Sequence, residues 1–118
     1  KLPRIFHVNW FRQDEDGHFL WPGFGENLRV LKWIIDRCED RIGARETPVG
    51  FLPEPGDIDT SELDISAAAM QELTSVDVDH WKLENQHFAD YLDSFGDRVP
   101  QALRDEQQRV AEELERAS

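Results

Sequence analysis

The feature that most restricts the fold of this chain is a stretch rich in aromatic rings and glycine, Phe19-Leu-Trp-Pro-Gly-Phe-Gly-Glu-Asn27. Pro22 has no backbone N–H, so it fits neither a helix interior nor a central strand. Gly23 and Gly25 permit backbone conformations that other residues avoid, and they leave room for a close approach beside a ring. The stretch therefore predicts an irregular connection that presents aromatic side chains and then enters a helix.

Strand-forming residues precede this stretch. Ile5-Phe-His-Val-Asn-Trp-Phe11 is β-branched and aromatic with loose alternation, and a turn cluster, Gln13-Asp-Glu-Asp-Gly17, follows it. His18-Phe-Leu-Trp21 is typical of a returning strand. The pattern predicts an N-terminal β-hairpin that ends at Pro22.

The hydrophobic period becomes helical from Glu26. Apolar residues then recur at steps of three or four and predict a helix that ends at Gly43. Its predicted buried stripe consists of Leu28, Leu31, Ile35, Cys38 and Ile42. Farther on, Thr47–Pro53 predicts a short edge strand between prolines, and Glu54–Asp57 predicts a turn.

The remainder of the chain is predicted to be helical. The expected helices cover Ser66–Val76, His80–Phe95 and Pro100–Ala117. Asp77 or Asp79 caps the second of these, and Gly96 separates it from the third. Their apolar stripes are Trp81, Phe88, Leu92 and Phe95 on one helix and Val99, Leu103, Val110 and Leu114 on the other. We expect these two helices to form an antiparallel pair in an α+β protein, with Trp33 and Trp81 in the core.

Charge and cysteine content limit the partners. The 25 acidic and 13 basic side chains give a formal net charge of −12, which repels nucleic acid phosphates and anionic membrane surfaces. The single cysteine, Cys38, excludes an intrachain disulfide and suits a reducing compartment, and it is predicted to be buried. We therefore expect a cytoplasmic protein that binds neither nucleic acid nor membrane.

Five aromatic rings between Trp10 and Asn27 are compatible with a pocket for a planar ligand or with an ordinary hydrophobic hairpin. In a purine pocket, Phe11, Phe19 and Phe24 supply the faces. The Asn27 amide both donates and accepts hydrogen bonds, so it can meet the O6 and N1–H pattern that distinguishes guanine from adenine.

The residues resemble a known family. His-Val-Asn-Trp-Phe at 7–11, the Phe19–Asn27 stretch, Arg29-Val-Leu with Trp33, and Thr47–Pro53 are similar to the corresponding parts of GTP-dependent phosphoenolpyruvate carboxykinases. A nine-residue match rich in Trp, Pro, Gly and Phe is far more specific than a lone glycine pattern. The likeness is carried by the first 53 residues, and residues 54–118 share only the helical layout. Together, residues 1–118 are expected to be one segment of a larger mixed α/β nucleotide-binding domain.

The resemblance implies a role for each residue of the loop. The rings matching Phe11 and Phe24 sandwich guanine, those matching Trp10 and Phe19 wall the pocket, and the residue matching Asn27 reads the edge of the base. Gly25 and Glu26 belong to the same binding loop. A carboxylate at the start of a helix also favours the helix dipole, so a capping role for Glu26 competes with a nucleotide contact.

The resemblance also implies an enzyme that converts oxaloacetate and GTP to phosphoenolpyruvate, CO2 and GDP in gluconeogenesis, with bound Mn and a nucleotide-associated Mg. No Gly-x4-Gly-Lys-Ser/Thr string occurs in this sequence, and clustered cations are scarce. We therefore expect no catalytic or metal-ligating residue here, an inactive isolated segment, and the rest of a monomeric carboxykinase chain as partner. The exposed edge of the predicted hairpin favours self-association of the isolated segment.

Other candidate sites have simpler interpretations. His80 and His87 lie among acidic side chains, but no third ligand stands at a fixed spacing. The acidic run Asp14–Asp16 fits a solvated turn better than a cation site. The alternative function is an acidic, non-catalytic module whose C-terminal helices dock on a basic or apolar partner.

Overall fold

The computed structural model describes residues 2–118. Four α-helices and one two-stranded sheet form its regular structure. They are α1 (Asn27–Cys38), β1 (Arg45–Thr47), β2 (Gly50–Leu52), α2 (Ala67–Leu73), α3 (Val78–Asp93) and α4 (Gln101–Arg116). Short 3-10 helices lie at Phe24–Glu26 and Gly96–Arg98. No helix in this described part is long and apolar enough to cross a membrane.

The predicted N-terminal hairpin is not built from regular strands. Residues 5–11 contain no strand, and a single antiparallel bridge joins Gln13 to Phe19. The alternation that suggested a strand is nevertheless present in the burial, since Phe6, Val8 and Trp10 are half-buried and the residues between them are exposed. The prediction was wrong because alternation indicates an extended segment, whereas a strand also needs a hydrogen-bonded neighbour.

The predicted boundaries and buried stripe of α1 both need correction. The helix ends at Cys38 and not at Gly43, and Trp33 is its buried residue, as predicted. Leu28, Leu31 and Ile35 of the predicted buried stripe are exposed, and only Ile42, which lies beyond the helix, packs against the core. Cys38 is exposed as well, so the expected buried thiol was wrong. Periodicity identifies an apolar stripe, but α1 has two, and only tertiary contacts select one of them.

The main core lies in the N-terminal part of the chain. It consists of Trp21, Trp33, Ile58 and Met70. Half-buried apolar residues pack around it: Phe6, Trp10, Val30, Ile34, Ile42, Ala44, Leu63, Ile65 and Leu73. The core therefore joins the aromatic stretch to α1 and α2.

The segment predicted as one edge strand is a hairpin. β1 and β2 pair with each other on either side of Pro48 and Val49, and Gly50 has a φ of 119°. Pro48 cannot donate to a ladder, which places it in the turn. The following turn at Glu54–Asp57 is confirmed by the backbone hydrogen bond from Asp57 N to Glu54 O at 3.0 Å.

Side-chain caps begin two of the helices where the sequence predicts them. The Ser66 hydroxyl accepts a hydrogen bond from Ala69 N at the start of α2. Asp77 is the cap of α3, where its carboxylate accepts from His80 N at 3.0 Å. These bonds satisfy backbone donors that a helix leaves unpaired in its first turn.

Helices α3 and α4 form the predicted antiparallel pair. Asn85 Nδ2 donates to Gln107 O at 3.3 Å, and Lys82 Nζ lies 3.0 Å from a Glu115 carboxylate oxygen. Leu92 and Leu114 are the buried residues of the pair. Trp81 was predicted in the core but is 40% exposed, although three helical turns place it on the same face of α3 as the buried Leu92.

The chain divides into two compact units. The first holds the described residues up to Arg45 together with Phe51–Ser75, and the second holds Glu46–Gly50 with Val76–Ser118. All of the candidate nucleotide-binding residues belong to the first unit.

Candidate nucleotide-binding site

A hydrogen-bonded turn forms the backbone frame of the site. Asp14 N donates to His18 O and Leu20 N donates to Arg12 O, both at 2.9 Å. The Asp14 carboxylate accepts from the backbone N–H groups of His18 and Asp16 at 2.8 and 3.0 Å. These bonds lower the pKa of Asp14 because they stabilise its charged form, and the bond from His18 has the largest effect. The acidic run is thus a turn, as predicted.

Two exposed phenylalanine rings stand on the arms of this turn. Phe11 and Phe19 are 72% and 59% exposed, and their ring centroids lie 6.0 Å apart at an interplanar angle of 65°. Phe11 N also donates to Asn9 Oδ1 at 2.9 Å, which fixes the backbone just before the ring. The turn therefore holds an edge-to-face aromatic pair open to solvent.

Phe24 is the most exposed ring of the stretch. It begins the 3-10 helix Phe24–Glu26 and is 91% exposed. Gly23 precedes it with a φ of 128°, a conformation that strains residues with a side chain, so glycine is required there. Gly25 has no such φ, but a side chain there would point into open space. Of the two glycines, only Gly23 has the positive φ expected from the sequence.

Asn27 begins α1 and is half-buried. Its Oδ1 accepts a hydrogen bond from the indole Nε1 of Trp21 at 2.9 Å. Nothing in the sequence signals this bond, because five residues that include Pro22 and a 3-10 helix separate its partners. It is one of two contacts in the candidate site that local sequence patterns do not reveal.

The Glu26 side chain is hydrogen-bonded to Arg29. Its carboxylate accepts a hydrogen bond from Arg29 Nε at 2.7 Å, which raises the pKa of the guanidinium. Arg29 Nη1 donates in turn to the backbone oxygen of Asp59 at 2.9 Å. Glu26 occupies the N-cap position of α1, but its side chain makes no capping hydrogen bond there.

Trp10 lies toward the core. It is half-buried, and its ring centroid stands 6.4 Å from that of Trp21 at a tilt of 44°. Phe11 and Phe19 are in contact, but no ring contact joins Phe24 to either of them among residues 2–118. The structure thus brings together one aromatic pair and one amide with its indole partner, and it leaves Phe24 apart.

One long-range contact anchors the turn. The Arg12 guanidinium donates to the backbone oxygen of Ser75 at 3.2 Å and to its hydroxyl at 3.1 Å. Ser75 lies just after α2, 63 positions along the chain, which is why no local pattern reveals the contact.

The described residues include one compact group of possible metal-ligating side chains, Asp14, Asp16 and His18. One Asp14 oxygen already accepts two backbone hydrogen bonds, as a turn requires. His80 and His87 lie 3.7 and 4.0 Å from Glu84 on the surface of α3.

The chain is similar to known proteins over nearly its whole length. Residues 1–113 match the family described as the phosphoenolpyruvate carboxykinase C-terminal P-loop domain. The likeness therefore extends through most of the C-terminal helices and is not confined to the first 53 residues. The chain belongs to the family of GTP-dependent phosphoenolpyruvate carboxykinases.

Individual relatives show the same extent of similarity. A phosphoenolpyruvate carboxykinase [GTP] from Chlamydia caviae is 47% identical over 116 residues, which cover 97% of this chain and 19% of that protein. Proteins of the same name from Treponema pallidum and Neocallimastix frontalis are 50% and 52% identical, over 88% and 87% of this chain. The chain spans about a fifth of the length of the curated relatives it matches.

Proposed function

We propose that this chain is the guanine-binding segment of a carboxykinase that converts oxaloacetate and GTP to phosphoenolpyruvate, CO2 and GDP. Three exposed phenylalanine rings carry the proposal: Phe11 and Phe19 on the hydrogen-bonded turn, and Phe24 on the 3-10 helix that leads into α1. The first residue of α1, Asn27, adds an amide. Large apolar rings open to water are suited to a flat ligand. The names of the relatives support GTP as the source of that ligand.

In this proposal the rings and the amide have separate tasks. Phe11 and Phe24 cover the two faces of guanine, and Phe19 and Trp10 wall the pocket. Asn27 hydrogen-bonds the edge of the base, while Gly25 and Glu26 shape the loop between the rings and α1. Because Phe24 makes no ring contact with Phe11, the base itself completes the sandwich.

The phosphates and the metals are assigned to other parts of the protein. The sequence has no phosphate-loop string, and Arg29, which follows the loop on α1, is paired with Glu26. We propose that manganese and magnesium, which would polarise the reacting oxygens, are held outside this segment. The segment alone then selects a base without transferring a phosphoryl group, and it is inactive by itself.

The rest of the carboxykinase chain is the proposed partner of α1. Leu28, Leu31 and Ile35 form an exposed apolar stripe, and the relatives have about four-fifths of their length outside the matched region. An apolar helix stripe is stabilised when another element covers it. Leu31→Gln is therefore expected to leave the isolated chain as stable as before, whereas it destabilises the longer protein.

The proposed reaction also bears on where the longer protein works and on its oligomeric state. We propose that the longer protein works as a monomer in the cytoplasm and in gluconeogenesis, since its product is phosphoenolpyruvate and the segment has a single cysteine. The isolated segment is proposed to self-associate through the exposed stripe of α1 and not through a strand edge, because residues 5–11 form no strand.

A titration tests base binding. GDP and ADP are added separately to the 118-residue chain while tryptophan fluorescence is followed, since Trp10 and Trp21 adjoin the proposed pocket. We expect a saturable change with GDP at lower concentration than with ADP. Equal responses to the two nucleotides, or no response to either, would contradict base selection by this segment.

A segment exchange tests the parent reaction. The matching residues of the Chlamydia caviae protein are replaced by this chain, and phosphoenolpyruvate formation is measured with GTP and with ATP. We expect GTP-dependent activity in the folded hybrid. The same hybrid with Phe24→Ala is the control, and activity that does not depend on this ring would count against the assignment.

A further inference from the structure

We propose that Trp21 is a specificity-determining positioning residue, which orients the Asn27 amide so that its Nδ2 donor is left for the base. The inference rests on the proposed function, because it explains how that site prefers a purine with an acceptor at position 6. It begins from the 2.9 Å hydrogen bond between Trp21 Nε1 and Asn27 Oδ1.

The chemistry of the two groups fixes the direction of the amide. An indole N–H only donates, so its partner must be the amide oxygen of Asn27. Rotating the amide by a half-turn would set its NH2 group against the indole N–H, and the hydrogen bond would be lost. The bond therefore selects one of two amide orientations that a free asparagine side chain populates.

Both partners are held firmly. Trp21 is 5% exposed and packs in the core with Trp33, Ile58 and Met70. Asn27 is the first residue of α1, so the helix fixes its backbone. An amide held between a core indole and a helix start is preorganised before any ligand arrives, and preorganisation reduces the entropy lost on binding.

The amide then offers a defined pattern to a ligand. Nδ2 makes no hydrogen bond within residues 2–118, while Oδ1 keeps a second lone pair beside the one used by Trp21. Guanine has an acceptor at O6 and a donor at N1, and both match this pattern. Adenine has an amino donor at position 6, which would face the Nδ2 donor. Trp21 thus favours guanine without touching it.

The core contains a matched control for this role. Trp33 is also 5% exposed and belongs to the same cluster, but its Nε1 has no hydrogen-bond partner among residues 2–118. Trp33→Phe and Trp21→Phe remove the same atoms from equally buried positions. Only Trp21→Phe breaks the bond to Asn27.

The experiment compares GDP and ADP binding to the unsubstituted chain and to both variants, after circular dichroism has shown that each is folded. Loss of one hydrogen bond should lower the GDP-to-ADP affinity ratio about 5- to 10-fold in Trp21→Phe. Trp33→Phe should keep the ratio. IDP, which has O6 and N1–H but no 2-amino group, should lose affinity in parallel with GDP.

Two further measurements serve if Trp21→Phe does not fold. Asn27→Asp keeps an acceptor for Trp21 and removes the donor, so it should lose the GDP preference. In the unsubstituted chain, the Trp21 indole proton should exchange with solvent more slowly than in Asn27→Ala, as seen by NMR. A GDP preference that persists in Asn27→Asp, or equal exchange in both chains, would overturn the inference.

The outcomes separate the two proposals. If the unsubstituted chain shows no preference for GDP over ADP, base selection by this segment fails, and the role of Trp21 fails with it. If the unsubstituted chain prefers GDP and Trp21→Phe retains the full ratio, the proposed function stands and the positioning role alone is overturned.

Discussion

The aromatic stretch and the α3–α4 pair both carry many apolar side chains, but they expose them for different reasons. In the helix pair, Leu92 and Leu114 are buried, whereas other apolar residues of the same helices, such as Leu83 and Leu103, are about half exposed. In the aromatic stretch and the turn before it, Phe11, Phe19 and Phe24 are exposed on irregular backbone that hydrogen bonds hold in place. Helical burial follows from a repeating pattern, whereas the exposed rings depend on individual turns.

The difference separates stability from binding. Substitutions of the buried residues of the helix pair, Leu92 and Leu114, should lower the free energy of unfolding without changing the affinity for nucleotide. Substitutions of the exposed rings should weaken nucleotide binding with little change in the free energy of unfolding, since a side chain in water contributes little to the core. Each prediction below tests one side of this contrast.

The largest effect is expected at Leu114, which is 0% exposed. Leu114→Ala should lower the free energy of unfolding by about 2–5 kcal/mol, because it removes buried methyl groups and leaves a cavity. Urea unfolding followed by circular dichroism measures the loss. The control is Leu103→Ala on the same helix, where the side chain is half-exposed. Equal losses at both positions would contradict the difference in burial between Leu114 and Leu103.

The next effect is expected in binding. Phe24→Ala should weaken GDP binding by about 1–3 kcal/mol, the usual value of one aromatic stack on a base, while the free energy of unfolding stays nearly constant. Phe51→Ala is the control, because that ring is also exposed but stands near Arg37, at 6.0 Å from its guanidinium. A loss of stability without a loss of affinity in Phe24→Ala would reverse the contrast.

A smaller effect is expected at the start of α3. Asp77→Ala should cost about 1 kcal/mol, because it removes the acceptor for His80 N. Asp79→Ala, in the first turn of the same helix, should cost less, since this residue is not the cap. Thermal unfolding of the two variants measures the difference, and an equal shift in both would argue against the Asp77 cap.

The smallest effect concerns the turn that carries Phe11 and Phe19. The pKa of Asp14 lies below its ordinary value of 3.8, first because His18 N donates to the carboxylate. A lowered folded-state pKa means that the stabilisation is present above pH 3.8 and is lost as the pH falls through the folded value. NMR titration of the Asp14 carboxyl should therefore give a midpoint below 3.8.

Asp14→Asn supplies the control for this titration. It keeps an acceptor oxygen for the backbone N–H groups of Asp16 and His18 but removes the titrating proton. The amide chemical shifts of those two residues should then no longer change as the pH passes through the range in which Asp14 titrates. An Asp14 midpoint at or above the ordinary value would show that the carboxylate does not hold the turn.

Local signals in the sequence predicted local structure well. Ser66 and the choice between Asp77 and Asp79 indicated the helix starts, and Gly96 indicated the break before α4, because capping and chain reversal depend on neighbouring residues. The alternative of an acidic docking module is not favoured, since the family match covers the C-terminal helices.

By itself, the sequence determined the family, the irregular character of the aromatic stretch and the helical C-terminal part, all of which depend on residue type and short spacing. Tertiary structure alone decided that residues 5–11 form no strand and that Trp33, and not the stripe of Leu28, faces the core. It also decided that Trp21 holds the Asn27 amide. A strand needs a partner, a helix face needs a neighbour, and an amide takes its orientation from the group it bonds, so none of these follows from local sequence.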